Sequence, residues 1–299
     1  MTQSSLSNIA RQEKTRREIL HKSDLIPPLP DLVARLLGML NKSETEPEDL
    51  ERLLQNDQVL VAKMLAMVNS PFYGLNRTIR TIREAVMVLG FRGVRSLVLA
   101  TSTAKFLQRD FGWYGHEPKG LWLHAVCVAT AARELSRRCR MSADEAEQWF
   151  VAGLLHDIGK LLLVPYVSEA KRPAAGANIE EYEREVVGLD HTESGALVAA
   201  KWNLATEVQE VIGCHHGARP GEDGDSDPAT APGVAIVRLA DAAAHELGTG
   251  YLPDMAPSVA VSADDLAVVG LDEDAWTGLR DELVPMMEEA VLALGNLGT

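Results

Sequence analysis

The chain has 299 residues, of which 46% are hydrophobic, 24% charged and 5% aromatic, and its formal net charge is −14. That length buries one large core or two modest ones, and so acidic a surface repels phosphate backbones, which argues against broad nucleic-acid binding and against docking on anionic membranes. Apolar content drawn from Ala, Leu, Val and Met rather than from aromatics favours packed helices over a β-sandwich, so the expected fold class is all-α.

In chain order, residues 1–22 are locally basic: Arg11, Lys14, Arg16, Arg17 and Lys22 outnumber Glu13 and Glu18. A solvated or frayed terminus accounts for this better than a docking segment. The prolines of Leu25-Ile-Pro-Pro-Leu-Pro30 require an extended entry. Apolar spacing then predicts helices over 31–40, from a Thr45/Glu48 capping box with Pro47 through Leu54, over 58–69 with Asn69-Ser70-Pro71 as the stop, over 82–89 ended by Gly90, and over 94–106. Arg77, Arg80 and Arg83, with Arg92 and Arg95 nearby, read as an exposed face paired with local acids rather than as a docking patch. Turn-forming residues over 107–120 mark a boundary. Further helices are expected over 121–139, from a Ser142/Glu145 capping box to Asp157, over 192–202, from Thr206 with Gln209 as its box partner to His215, over 234–247, and over 281–294. Residues 217–233, rich in Gly, Pro, Asp and Ala, read as a mobile surface loop. This divides the chain into a tail (1–20), an N-terminal helical subdomain (21–115), a second helical subdomain (116–248) and a helical extension (249–299).

No unbroken run approaches about 18 apolar residues, so no membrane span is expected. Cys127, Cys139 and Cys214 lack any CxxC spacing and read as free thiols of a reducing compartment. With charged residues where a cleavable leader would need apolar ones, a cytoplasmic protein is expected.

The chemistry lies in the histidines. His21, His116 and His245 read as ordinary core or surface residues, but five others fall where helix geometry can gather them with Asp157 and Asp241. About a hairpin pivot near Met141, His124 lies 17 residues before and His156 15 after. At about 1.5 Å rise per residue they sit within about 3 Å of one level on antiparallel helices. About a second pivot near Ala205, His191 and His215 differ by about 6 Å in level, within reach of two imidazoles. His156 and Asp157 would diverge by roughly 100° on an ideal helix, and Gly159 supplies the freedom to relax. His216 stands at a helix end beside Gly217. Neutral imidazoles with carboxylates suit Fe, Mn, Zn, Ni or Co, and burying them with no ion or partner would be costly.

Leu154-Leu-His-Asp-Ile-Gly-Lys160 with His124 upstream resembles the signature of the HD metal-dependent phosphohydrolase superfamily. Asp190-His191-Thr-Glu-Ser-Gly195, Trp202-Asn-Leu204, Cys214-His-His216 and Leu239-Ala-Asp241 follow the same plan. Ile26-Pro-Pro-Leu-Pro30, Asn56-Asp-Gln58, Val68-Asn-Ser-Pro71 and Ala85-Val-Met-Val-Leu-Gly90 resemble the HDOD branch, so the likeness spans roughly 21–248. The resemblance implies an HD-type bundle packed on the N-terminal subdomain, with one or two divalent transition-metal ions (Fe, Mn, Ni or Zn). His124, His156, Asp157 and Asp241 would surround one ion, Asp157 would bridge, His191, His215 and His216 would hold a second, and Lys160 would face a substrate phosphate. It further implies a signal-transduction output module acting through protein partners. The alternative it implies is a working phosphohydrolase on a nucleotide or other phosphoester, with Asp157 and Lys160 catalytic. HDOD proteins often lack part of this ligand set, whereas this chain keeps all seven residues. After His216 the sequence reads Gly-Ala-Arg-Pro, not the Gly-Tyr-Pro of the HD-GYP relatives, so activity on cyclic-di-GMP is not implied.

Overall fold

A computed structural model describes residues 12–19, 27–40, 44–55, 57–70, 73–173, 177–217, 230–251 and 261–295. Residues 218–229 of the loop expected over 217–233, and His21, lie outside the described residues, while 231–233 are helical rather than loop. Among the described residues there are helices and no strands, apart from one isolated antiparallel bridge between His116 and Tyr251.

The N-terminal part contains α1 (12–19), α2 (Asp31–Leu40), α3 (Pro47–Leu54), α4 (Gln58–Val68) and α5 (Ile82–Leu107). Residues 12–19 are helical rather than frayed: Ile19 is buried and the Gln12 amide donates to the Glu185 carbonyl. Helix α3 begins one residue later than its sequence implies. Glu46 is the N-cap and exchanges bonds with Asp49, while the Thr45 hydroxyl is spent on the Met39 carbonyl at 2.6 Å. Asp57 and Thr81 cap α4 and α5 through bonds to Leu60 N and Glu84 N. Gly90 breaks α5 into the two expected segments, because its φ of 70° lies in the left-handed region that favours glycine.

The C-terminal part is built around α6 (Gly120–Arg138), which packs against α7 (Ala143–Leu155), α12 (Ala231–Leu247) and α14 (Glu273–Leu294). The Ser142/Glu145 capping box opens α7 as expected. A turn over 156–159 leads into α8 (Lys160–Val167), followed by α9 (Ile179–Val187), α10 (His191–Lys201), α11 (Thr206–Cys214) and, after α12, α13 (Ala263–Val268). Helices α8, α9 and α13 have no counterpart in the sequence reading. Thr206 does not cap α11: Ala205 holds that position without a side-chain bond, and Gln209 donates instead to the Leu204 carbonyl. Trp122, fully buried, donates its indole N–H to Leu294 O and ties α6 to the end of α14.

The two parts meet where α5 packs on α7, within one continuous apolar core. Two helical stretches, 82–107 and 143–167, reach the length and mean hydropathy of a membrane span, which a count of unbroken apolar residues misses. They serve the core here, with 56% and 83% of their apolar windows buried.

Candidate metal centre

The centre forms where α6, the end of α7, the start of α10, the end of α11 and the middle of α12 converge. His124 comes from α6 and Asp241 from α12. His156 caps the C-terminus of α7, and Asp157 follows it in the 156–159 turn. That turn is closed by i→i+3 bonds such as Ile158 N to Leu155 O and Lys160 N to Asp157 O. This tightening lets adjacent side chains serve one site. The turn also presses against α10: a Cβ on Gly159 would stand 1.9 Å from the His191 carbonyl oxygen, so a residue without one is required there.

His215 caps α11, where the Arg238 guanidinium donates to the carbonyls of Cys214, His215 and Gly217 and satisfies a helix end that would otherwise lie open. His124, His156, Asp157, His191, His215 and Asp241 are each at most 2% exposed, while His216 stands at the rim.

Both hairpin levels expected from residue spacing are realised: the rings of His124 and His156 lie 5.3 Å apart and those of His191 and His215 5.4 Å apart. Asp241 Oδ1 is 3.0 Å from His124 Nε2 and 3.6 Å from His156 Nε2. Asp157 reaches the other histidines, with Oδ2 3.3 Å from His156 Nε2 and Oδ1 3.4 Å from His191 Nε2 and 4.0 Å from His215 Nε2. Three groups can each gather ligand atoms within 4.8 Å of one another: His191, His215 and His216; His124, His156 and Asp241; and His156, Asp157 and His215. Asp157 thus lies among three of the imidazoles, with its two oxygens turned to different rings.

The outer ring nitrogens are committed elsewhere. His156 Nδ1 bonds Gly153 O at 2.7 Å, His215 Nδ1 bonds Ile212 O at 2.6 Å, and His191 Nδ1 bonds Glu183 Oε2 at 2.7 Å. In a neutral ring this puts the proton on Nδ1 and leaves the Nε2 lone pair facing a carboxylate oxygen. Nε2 of His124, His191 and His215 and Oδ1 of Asp157 and Asp241 are buried without an aligned hydrogen-bond partner. Lone pairs converging in this way fit a divalent cation, which imidazole and carboxylate ligands favour.

Burial lowers His124 to about 4, and burial with the neighbouring His216, His156 and His191 holds His215 well below the usual imidazole range. Burial also pushes His156 and His191 down, but Asp157 and Glu183 respectively outweigh it and raise both. Burial would raise Asp157 and Asp241. Lys160 and His156 overcome it for Asp157, and His245 and His124 for Asp241, so both stay well below the carboxylate range.

Lys160, which the resemblance sets against a substrate phosphate, lies beside Asp157. It is buried, with Nζ 2.6 Å from Asp157 Oδ2 and 5.2 Å from the Tyr114 ring centroid. The short turn before α8 folds it back onto a carboxylate three residues earlier. A cleft of roughly 220 Å³ opens instead over His215, His216 and Asp241, walled by Arg238, Ser262 and Asp265.

Sequence reasoning missed Glu183, which is fully buried and accepts bonds from His191 N, His191 Nδ1 and the Tyr114 hydroxyl. It also missed Glu180, 3.5 Å from His216 Nδ1. Their spacing of three on α9, just before His191, is the only trace they leave in the sequence. His116 and His245, read as ordinary core or surface residues, are buried, and both rings lie within 6.0 Å of the His124 ring.

The sequence matches the HDOD domain family over residues 26–218. Among solved structures, an HDOD domain protein of unknown function from Geobacter sulfurreducens shares 25% identity with a TM-score of 0.69, over 97% of this chain and 99% of that one. A candidate phosphohydrolase from Shewanella amazonensis SB2B gives 24% identity and a TM-score of 0.69, over 94% and 98%. A candidate signal transduction protein from Marinobacter aquaeolei VT8 gives 19% and 0.67, over 98% and 67%. An uncharacterized protein of Treponema pallidum (strain Nichols) is 28% identical over 70% of this chain and 42% of its own length. Ribonuclease Y of Fervidobacterium nodosum is 24% identical over 78% and 38%. The chain thus spans about two-fifths of the length of these curated relatives.

Proposed function

Because this chain belongs to the HDOD family, we propose that it acts as a signal-transduction output module that carries a mono- or dinuclear divalent metal centre and works through protein partners. His124, His156, Asp157 and Asp241 hold one ion in this reading, and His191, His215 and His216 hold the second, with Asp157 between them. The observation that carries it is the set of fixed ring orientations: three imidazoles spend Nδ1 on an acceptor and aim Nε2 at the carboxylates. A polar core serving only the fold would have closed these atoms on one another. The Marinobacter relative, named for signal transduction, supports the module reading. Elemental analysis of untagged protein tests the centre. At least one transition-metal ion per chain is expected, and less than about a tenth, not restored by added Fe, Mn, Ni or Zn, overturns it.

A second reading, metal-dependent hydrolysis of a phosphoester or nucleotide, is favoured by the cleft over His215, His216 and Asp241. A divalent cation held there would supply Lewis-acid polarisation of a phosphoryl oxygen and would activate water at neutral pH. The protein's own part is to orient the imidazoles through Gly153, Ile212 and Glu183, to keep the carboxylates ionised, and to hold His216 at the rim. Lys160 would have to leave Asp157 to meet a phosphate. Turnover assays with several metals on a generic phosphodiester and a nucleotide panel separate the readings. Metal-loaded protein that cleaves nothing on the panel favours the output module.

A further inference from the structure

On the α12 side of the centre the structure holds one more imidazole than the resemblance supplies. His245 follows Asp241 by four residues on α12, so the two side chains share a helix face. Its Nε2 lies 3.2 Å from Asp241 Oδ1, and its ring centroid is 4.7 Å from that of His124. That single carboxylate oxygen therefore has three ring nitrogens around it: His124 Nε2 at 3.0 Å, His245 Nε2 at 3.2 Å and His156 Nε2 at 3.6 Å. None of these contacts is aligned as a hydrogen bond to Oδ1. A carboxylate oxygen has two lone pairs and cannot serve three donors well. More lone pairs than protons thus meet at this oxygen, although His245 stands outside the three groups whose ligand atoms all lie within 4.8 Å of one another, so its ring would have to draw in to share an ion with His124 and His156.

The surroundings fix the His245 ring and leave its Nδ1 without an aligned partner. Its Nδ1 is buried and unbonded, as is Nε2 of the neighbouring His116. The His116–Tyr251 bridge closes this side, bringing the Tyr251 ring within 4.2 Å of His116 and 5.2 Å of His245. The closure is tight, since a Cβ on Gly120 would stand 1.9 Å from the Gly250 carbonyl oxygen. Among the described residues its ion pair is with Asp241, so its imidazole is poised toward that carboxylate.

We propose that His245 is a metal ligand, so that the ion nearest Asp241 is held by the three imidazoles of His124, His156 and His245 together with the Asp241 carboxylate. This rests on the metal-centre reading above and deepens it. Three imidazoles with one carboxylate form a nitrogen-rich, nearly neutral set suited to Fe, Co, Ni or Zn rather than to Mg or Ca.

Cobalt(II) is the probe. Metal-free wild-type, His245→Ala and His245→Gln proteins are titrated with Co²⁺, reading the visible ligand-field bands, and X-ray absorption counts imidazoles per cobalt. Thermal melts of the metal-free proteins monitor folding. In His245→Ala the tightest site is expected to weaken at least roughly tenfold, with a changed visible spectrum and one imidazole fewer. His245→Gln keeps an amide near Asp241 and guards against a folding failure in the alanine variant. It is expected to melt like the wild type and to bind cobalt like His245→Ala. Wild-type affinity and spectrum in His245→Gln would overturn ligation and leave a positioning role. Unchanged binding in His245→Ala would overturn the ligand alone. A wild-type protein that takes up no cobalt would overturn the metal centre along with it.

Discussion

In one charge cluster of the bundle, the buried Arg133 on α6 meets the partly buried Glu147 on α7 at 3.0 Å, with the Phe150 ring centroid 3.9 Å from the guanidinium carbon and the Tyr73 ring 5.0 Å away. In the other, Asp157 and Asp241 draw imidazoles inward and leave buried oxygens and nitrogens without aligned bonds. Both clusters lie on helices of the same core. The first matches one cation to one anion and pads the pair with aromatic faces, so its charges balance within the protein. The second gathers more lone pairs than protons can serve, which is how a protein prepares a place for a cation. Burial of charge is therefore common to both, and what sets the second apart is its excess of converging lone pairs.

The comparison breaks first at Asp157. Asp157→Asn keeps an oxygen that can accept from Lys160 but removes the charge expected between the ions. Metal affinity should fall by more than roughly 100-fold, beyond the loss typical of outer-shell partners, as read by metal titration alongside a thermal melt. Retention of metal by this variant would take Asp157 out of the ligand set.

The closed cluster should respond in the opposite way. Glu147→Ala leaves Arg133 buried without its carboxylate, and a loss of about 3 kcal/mol in unfolding free energy is expected from urea denaturation. Bound metal per folded chain should stay unchanged. If it falls too, the clusters are coupled through α7.

Between them stands Glu183, which touches His191 rather than any proposed ion. Glu183→Gln should cost roughly 10–100-fold in metal affinity, with the fold retained. The same contact sets a pH dependence. His156 and His191 hold protons more tightly than free imidazoles, so protons compete with metal for them, and affinity should weaken as pH falls through their raised pKa values. Titrations between neutral and mildly acidic pH check the sign; tighter binding in acid would contradict it.

The smallest effect belongs at the surface. Arg83 pairs with Glu48 at 2.6 Å and Glu51 at 3.2 Å, its side chain 46% exposed. Arg83→Ala should change stability by less than about 1 kcal/mol and leave metal binding untouched. A large loss would show that the α3–α5 contact depends on this pair.

Much of the fold was legible from local signals. Gly90, the Ser142/Glu145 box and the apolar spacing of α2, α4, α6 and α12 act within a few residues, where backbone sterics and capping bonds decide the outcome. The facing pairs His124/His156 and His191/His215 were legible too, because helix rise and hairpin position set their level. Caps with rival acceptors were less so: Thr45 and Thr206 look like N-caps, yet Glu46 and Ala205 hold those places.

What the linear order could not supply was contact between distant segments. Glu183 matters only because α9 folds beside the start of α10. His116 matters only because its loop bridges to Tyr251, and Lys160 meets Asp157 rather than the cleft because the turn before α8 is so short. The sequence by itself thus determined an all-α chain of the HDOD family and which histidines share a level. Only the tertiary structure decided which nitrogens are already spent on the protein and which face Asp157 and Asp241, because packing across elements orients each ring.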